Sequence, residues 1–189
     1  MNNLKTLIIA LLVAFGTTVV TAQNKKVNIE KSKINWVGKK VTGQHSGTIN
    51  LQDGILVFKG KKLVGGTFNV NMPSITVTDL KAGQGKENLE DHLKADDFFG
   101  TDKFDTATLE FKTIAAKANE VYTVTADLTI KKITNPITFD IIVNGNSAAT
   151  TLKVDRTKYD IKYGSGSFFD NLGDKVISNN FDLIVNLQF

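Results

Sequence analysis

The sequence predicts an all-β fold, an antiparallel barrel of about eight strands with one short mid-chain helix, and three observations carry that expectation. Apolar and polar residues alternate along segment after segment, as they do in half-buried strands. Short turns such as Gln52-Asp53-Gly54, Lys117-Ala118-Asn119-Glu120 and Asn144-Gly145-Asn146 join these segments. Such turns suit antiparallel neighbours, because parallel pairs need crossover helices. Only one stretch has helical spacing. A single helix cannot cover both faces of a long sheet, and exposed sheet edges invite aggregation, so closure into a barrel is the economical arrangement.

In chain order, residues 1–22 come first. Lys5 precedes an apolar run at 6–16, and the small residues that follow end at Ala22. The pattern predicts a secretory signal peptide cleaved after Ala22, since the run is too short and too quickly followed by threonines for a membrane anchor. Residues 23–189 then form one domain, their length suiting one large core and no Pro- or Ser-rich linker dividing them. The chain has no cysteine. Neither a lipoprotein anchor nor a disulfide is available, so burial alone must stabilise an exported protein, periplasmic or secreted.

Strands are expected at 34–41, 47–51, 55–58 and 66–77. Leu89 and Leu93 stand four residues apart among acidic residues, which predicts a short amphipathic helix running into a turn at 97–100. A strand at 106–114 follows. The next, at 120–130, alternates strictly, with Tyr122, Val124, Ala126, Leu128 and Ile130 on one face and Thr123, Thr125, Asp127 and Thr129 on the other. Ile137, Phe139, Ile141 and Val143 repeat the pattern, a strand at 148–159 comes next, and Phe181, Leu183, Val185, Leu187 and Phe189 close the chain.

Composition and motifs exclude several function classes. The net charge is +4, but Arg156 is the one arginine and the lysines are scattered, unlike the clustered arginines and interleaved aromatics of a nucleic-acid surface. His45 lies in a turn and His92 in the predicted helix, and neither belongs to an H-E-x-x-H pattern. With no cysteine and no G-x-S-x-G elbow, no catalytic residue, metal site or cofactor is expected. Glu90, Asp91, Asp96 and Asp97 read as solvated carboxylates around a helix. Residues 164–167, Gly-Ser-Gly-Ser, lack the Lys-Ser/Thr of a phosphate loop, and the glycines at 83 and 85 are a weak anion signal. On these grounds alone the apolar interior is either a filled core or a cavity for a lipid-like ligand.

Several segments resemble one family. Residues 32–40 (SKINWVGKK), 45–51 (HSGTINL), 92–114 (HLKADDFFGTDKFDTATLEFKTI), 128–143 (LTIKKITNPITFDIIV) and 152–161 (LKVDRTKYDI) together look like the YceI-like family of exported lipid-binding proteins, from about Val27 to the C-terminus. The chain departs from the family's pattern at Asp105, where proline is usual, and at Ala126, Lys132 and near Asp160, where glycine is usual. The resemblance implies a lipocalin-like extended barrel whose channel takes a polyisoprenoid, a fatty acid derivative or a comparable long-chain amphiphile, without catalysis. True lipocalins carry Gly-x-Trp on the first strand, whereas Lys-Ile-Asn precedes Trp36 here.

Strand parity then nominates the channel lining as Trp36, Phe68, Val70, Met72, Phe98, Phe104, Leu109, Phe111, Leu128, Phe139 and Phe181, with plain core as the alternative for each. Arg156 shares parity with Leu152 and Val154, so it points inward, either to a ligand head group or to a carboxylate such as Asp155 or Asp160. Expected partners are a long-chain isoprenoid or fatty lipid and, transiently, a membrane. A homodimer through the C-terminal strand is expected only if the barrel closes incompletely. Two rival readings are a solid barrel acting as an exported interaction module and a small hydrolase using His45 or His92.

Overall fold

Along the computed structural model, which describes residues 21–189, nine strands and one α-helix alternate with short turns. They are β1 (Ala22–Lys26), β2 (Lys33–Lys40), β3 (Gly43–Lys59), β4 (Lys62–Val77), α1 (Lys86–Lys94), β5 (Thr106–Ala116), β6 (Val121–Ile130), β7 (Ile133–Asn144), β8 (Ser147–Asp155) and β9 (Ile177–Gln188). Every neighbouring pair is antiparallel, and the sheet closes because β2 bonds β9 while β3 bonds β4. The nine strands occupy eight positions. β2 covers β3 from Gly43 to Ile49, and β1 continues the same row from Ile55 to Lys59, so β1 and β2 are two halves of one stave. The signal-peptide expectation falls almost wholly on residues 1–20, outside the described residues.

Three expectations need correction. Segments 47–51 and 55–58 are one strand, β3; Asp53 and Gly54 pair with Asn69 and Phe68, and a bulge near Asp53 absorbs the extra residue that had read as a turn. The strand expected to reach Tyr159 stops at Asp155. There the Asp155 carboxylate accepts hydrogen bonds from the Thr157 N–H (3.0 Å) and Oγ1 (2.6 Å), and a 3₁₀ turn runs over Arg156–Tyr159. Finally, β9 has β2 on one side and β8 on the other, so the open C-terminal edge on which a dimer depended is not presented.

Alternation puts the core inside the ring. Along β6, Tyr122, Val124, Ala126, Leu128 and Ile130 are all buried, and Phe139, Ile141 and Val143 of β7 sit beside them. Turn chemistry at the departures from the family is unusual. Lys131 and Lys132 join β6 to β7 with φ of 51° and 62°, a two-residue turn that glycine or asparagine would enter more easily. Lys131 offsets part of that strain by donating Nζ to the carbonyls of Asp96 and Phe98, each at 3.1 Å.

β7 and β8 pair only over Ile141–Asn144 and Ser147–Thr150. The first half of β7 therefore has β6 on one side alone, the setting in which Pro136 is tolerated. Side chains bridge this seam: Thr150 Oγ1 donates to the Asp140 carbonyl at 2.6 Å, and Asn135 Nδ2 donates to the Lys158 carbonyl at 3.0 Å.

Candidate functional site

The interior is built around aromatic rings seated on glycines. Trp36 of β2 lies across Gly47 of β3, where a Cβ would stand 2.7 Å from the indole and 1.8 Å from the Thr76 carbonyl oxygen. That same carbonyl accepts the indole N–H at 3.1 Å, which fixes the ring while leaving its face to the interior. Phe111 of β5 covers Gly66 of β4, where a Cβ would stand 2.7 Å from the ring, and continues a line of rings, 5.5 Å to Phe68 and 5.9 Å to Phe139.

Space remains between these rings. One cavity of about 110 Å³ is bounded by Trp36, Val70, Met72, Phe98, Leu128 and Phe181, with Arg156 on its wall. A second, deeper cavity of about 80 Å³ is bounded by Phe68, Leu109, Phe111 and Phe139, and its wall shares Leu128 and Leu183 with the first. Apolar cavities of this scale stay dry, and one of about 150 Å³ accepts a benzene ring. Eleven of the twelve residues expected to line the channel are on these two walls. Phe104 is the exception. Its ring lies outside both, packed near Gly100 and beneath the Lys131 and Lys132 ammonium groups at 5.9 and 5.8 Å.

Toward the barrel mouth a third cavity, about 100 Å³, shares Trp36, Leu93 and Phe98 with the first. It shares His45 and His92 with an outer vestibule of about 540 Å³. Helix α1 stands at this end because Glu90 accepts the Val77 N–H at 2.8 Å and Leu93 is buried below it. After the helix, the chain turns Phe98 and Phe99 inward, their rings 5.2 Å apart. Across the vestibule runs the 160–176 loop. Tyr163, Phe168 and Phe169 of that loop are about half exposed, and Val41 of the β2–β3 turn is joined to it by a Val41 N–H to Val176 carbonyl bond of 3.2 Å.

Arg156 is 2 % exposed and meets no carboxylate. Its Nε donates to the Ser178 carbonyl (3.0 Å), Nη1 to Ile161 (2.8 Å) and Nη2 to Ile177 (3.1 Å), and the guanidinium lies 5.7 Å over Phe98. Burial lowers its pKa, and the Asp155 charge partly opposes that. Of the carboxylates expected as partners, Asp155 caps the 3₁₀ turn and Asp160 pairs with Lys162 at 2.7 Å.

His45, expected in a turn, lies within β3, His92 lies on α1 as expected, and both face one vestibule. His45 Nδ1 meets Asp79 Oδ2 at 2.9 Å. Burial raises the Asp79 pKa, but the Ser46 N–H and His45 outweigh it, so the net shift is downward. His92 packs edge-on against Tyr163 (4.3 Å) and Phe98 (5.6 Å), with Nε2 unpartnered and 3.7 Å from Asp97. Forty-odd residues separate the two histidines, and only the folded positions of β3 and α1 bring them together. Among the described residues, no three His, Cys, Asp or Glu side chains gather as a metal site.

A family model described as YceI-like domain matches residues 25–189. A UPF0312 protein of Staphylococcus aureus strain N315 is 40% identical over 80 residues, 42% of this chain and 44% of its own length. Another, from strain bovine RF122 / ET3-1, is 40% identical over 107 residues, 51% and 60%. The chain thus spans roughly half the length of the curated relatives it matches. Among solved structures, Burkholderia cenocepacia BcnA superposes with a TM-score of 0.65 at 20% identity, over 85% of this chain and 98% of that one. The Campylobacter jejuni YCEI protein superposes with a TM-score of 0.51 at 17% identity, over 100% and 91%. These structural likenesses concern the fold.

Proposed function

Because this chain belongs to the YceI-like family, whose barrels bind lipids and polyisoprenoids, we propose that it carries a single long-chain amphiphile, a polyisoprenoid or fatty acid derivative, within the barrel, and that it does so after export to the cell envelope. The row of small apolar cavities running inward from a polar vestibule is the observation that carries this reading. Each inner space is far below the 300–1,000 Å³ of a drug-sized pocket, so the shape suits a thread rather than a bulky body. Each buried methylene contributes about 0.8 kcal/mol, so a tail spanning the row needs few specific contacts.

The rival readings receive less support. A solid interaction module has no use for successive voids along its axis. A hydrolase built on His45 or His92 would most simply use a serine, threonine or cysteine beside them, and among the described residues the vestibule wall holds none. Exposed Phe168 and Phe169 at the rim suit brief insertion into a membrane interface, where aromatic side chains partition well and from which the ligand would be taken.

The decisive experiment is native mass spectrometry of the exported protein, followed by organic extraction. A discrete added mass that resolves to a prenyl or fatty chain is the expected result. A mass that stays that of the bare chain after exposure to polyprenyl and fatty-acyl lipids would sink the carrier reading. Trp36 is the chain's sole tryptophan and lies on the first cavity's wall, so its fluorescence reports loading independently.

A further inference from the structure

We propose that the exported protein begins with a pyroglutamate, formed when the Gln23 side chain closes on the amine that cleavage after Ala22 sets free. The inference rests on the export reading above. Ala22 ends the small-residue stretch behind the apolar run, so cleavage there makes Gln23 the first residue. The freed α-amine attacks Cδ of its own carboxamide, the bond from Cδ to the side-chain nitrogen breaks, and one amine hydrogen leaves with that nitrogen as ammonia. The product is a neutral lactam. One amide is exchanged for another, so the step needs no oxidant, reductant or co-reactant.

The fold has a place for that lactam. Gln23 is exposed on β1 and stands opposite Phe58 of β3. Just beyond β1, the Val27 N–H donates to the Gly54 carbonyl at 2.9 Å, and bonded pairs alternate along an antiparallel ladder, so the next ones are Lys25 with Leu56 and Gln23 with Phe58. The Gln23 nitrogen therefore faces the Phe58 carbonyl. A lactam keeps one planar amide N–H at that point, as the ladder requires, and its ring-fixed φ is tolerated at the start of a strand as that of proline is. A free terminus would instead set an ammonium there, in a pair of segments, 22–26 and 54–66, that already holds Lys25, Lys26, Lys59, Lys61 and Lys62 and no carboxylate. Closure removes that charge. It also guards a weak point of the barrel, because β2 covers β3 only from Gly43 to Ile49 and β1 is the strand that bonds the same edge at Ile55–Lys59. Trimming from an open amine would bare that edge beside the buried Leu56 and Phe58.

The test is the intact mass and the stepwise N-terminal sequence of the protein as its cell exports it, quenched in acid denaturant at harvest so that closure during purification is not counted. The expected mass is that of residues 23–189 less one ammonia. Sequencing should give no signal until pyroglutamyl peptidase removes the blocked residue, after which it should read from Asn24. Gln23→Ala should show the full mass of its 167 residues, 23–189, and a readable first residue. A broad aminopeptidase should shorten that variant and leave the wild type intact; equal resistance of the two would overturn the protective role. A wild-type chain that starts at Gln23 with its full mass and a readable amine at harvest overturns the pyroglutamate and leaves the export reading standing. A chain that starts at any other residue overturns cleavage after Ala22, and the inference falls with it.

Discussion

Arg156 shows how a single residue can be located from sequence while its partners stay hidden. Its inward position was legible from parity with Leu152 and Val154, but the partner was not, because backbone carbonyls leave no mark in a sequence. The guanidinium ties β8's end to the Ile161 carbonyl and to the start of β9. Arg156→Met should therefore cost about 3 kcal/mol in chemical denaturation, since three carbonyls lose their donor, while lipid affinity is retained. A variant of full stability and lost affinity would return Arg156 to a head-group role. Tyr159, three residues on, sets a pH limit. Burial first and the Asp155 charge second raise its pKa from 10.0 to about 12. A raised folded-state pKa favours the protonated fold, so this contribution is complete below pH 10 and is lost as pH climbs from 10 toward 12. Denaturation midpoints should fall across that window, and Tyr159→Phe should flatten the fall; identical pH profiles for the two proteins would refute the assignment.

Among the elements, the 160–176 loop carries the membrane-facing part of the proposal. It has little regular structure beyond a short 3₁₀ turn at Gly173–Lys175, it walls the vestibule through Tyr163 and Phe169, and it leaves Phe168 and Phe169 half exposed. Replacing both phenylalanines by serine should slow lipid uptake from vesicles several-fold while binding of detergent-dispersed lipid stays the same, a comparison made with the Trp36 signal. Unchanged transfer would remove the loop from the loading step. The sequence could not have pointed to this loop, whose Gly-Ser-Gly-Ser run marks flexibility but says nothing about what lies across from it. Regular elements were far more legible. Period-two alternation located β2 and β4 through β9, and the Leu89/Leu93 spacing located α1. β3 was split in two because Gln52-Asp53-Gly54 has turn composition, and only the pairing with β4 shows that a bulge holds it in the strand.

At the scale of the whole molecule, closure was predictable from edges that must be hidden, and most of the residues that parity named lie on the cavity walls. What parity cannot supply is whether inward side chains fill the space, because that depends on ring seating such as Trp36 over Gly47 and Phe111 over Gly66. The spaces left are unequal, and Leu128 and Leu183 form the partition between the first cavity and the deep one. A tail that occupies both must displace these two side chains, so the partition, rather than the barrel's full length, should set the chain length that binds best. Leu183 of β9 is paired with Trp36 on one side and Leu152 on the other, which leaves a larger side chain nowhere to turn but across the junction. In a titration with prenols of increasing length, wild-type affinity should climb with each isoprene unit and then level off. Leu183→Phe should level off at a shorter chain. Leu183→Ala, at a cost of about 3 kcal/mol in stability, should accept long chains more tightly because the partition is gone. Should all three proteins share one length profile, the deep cavity takes no part in binding and the tail ends at the first.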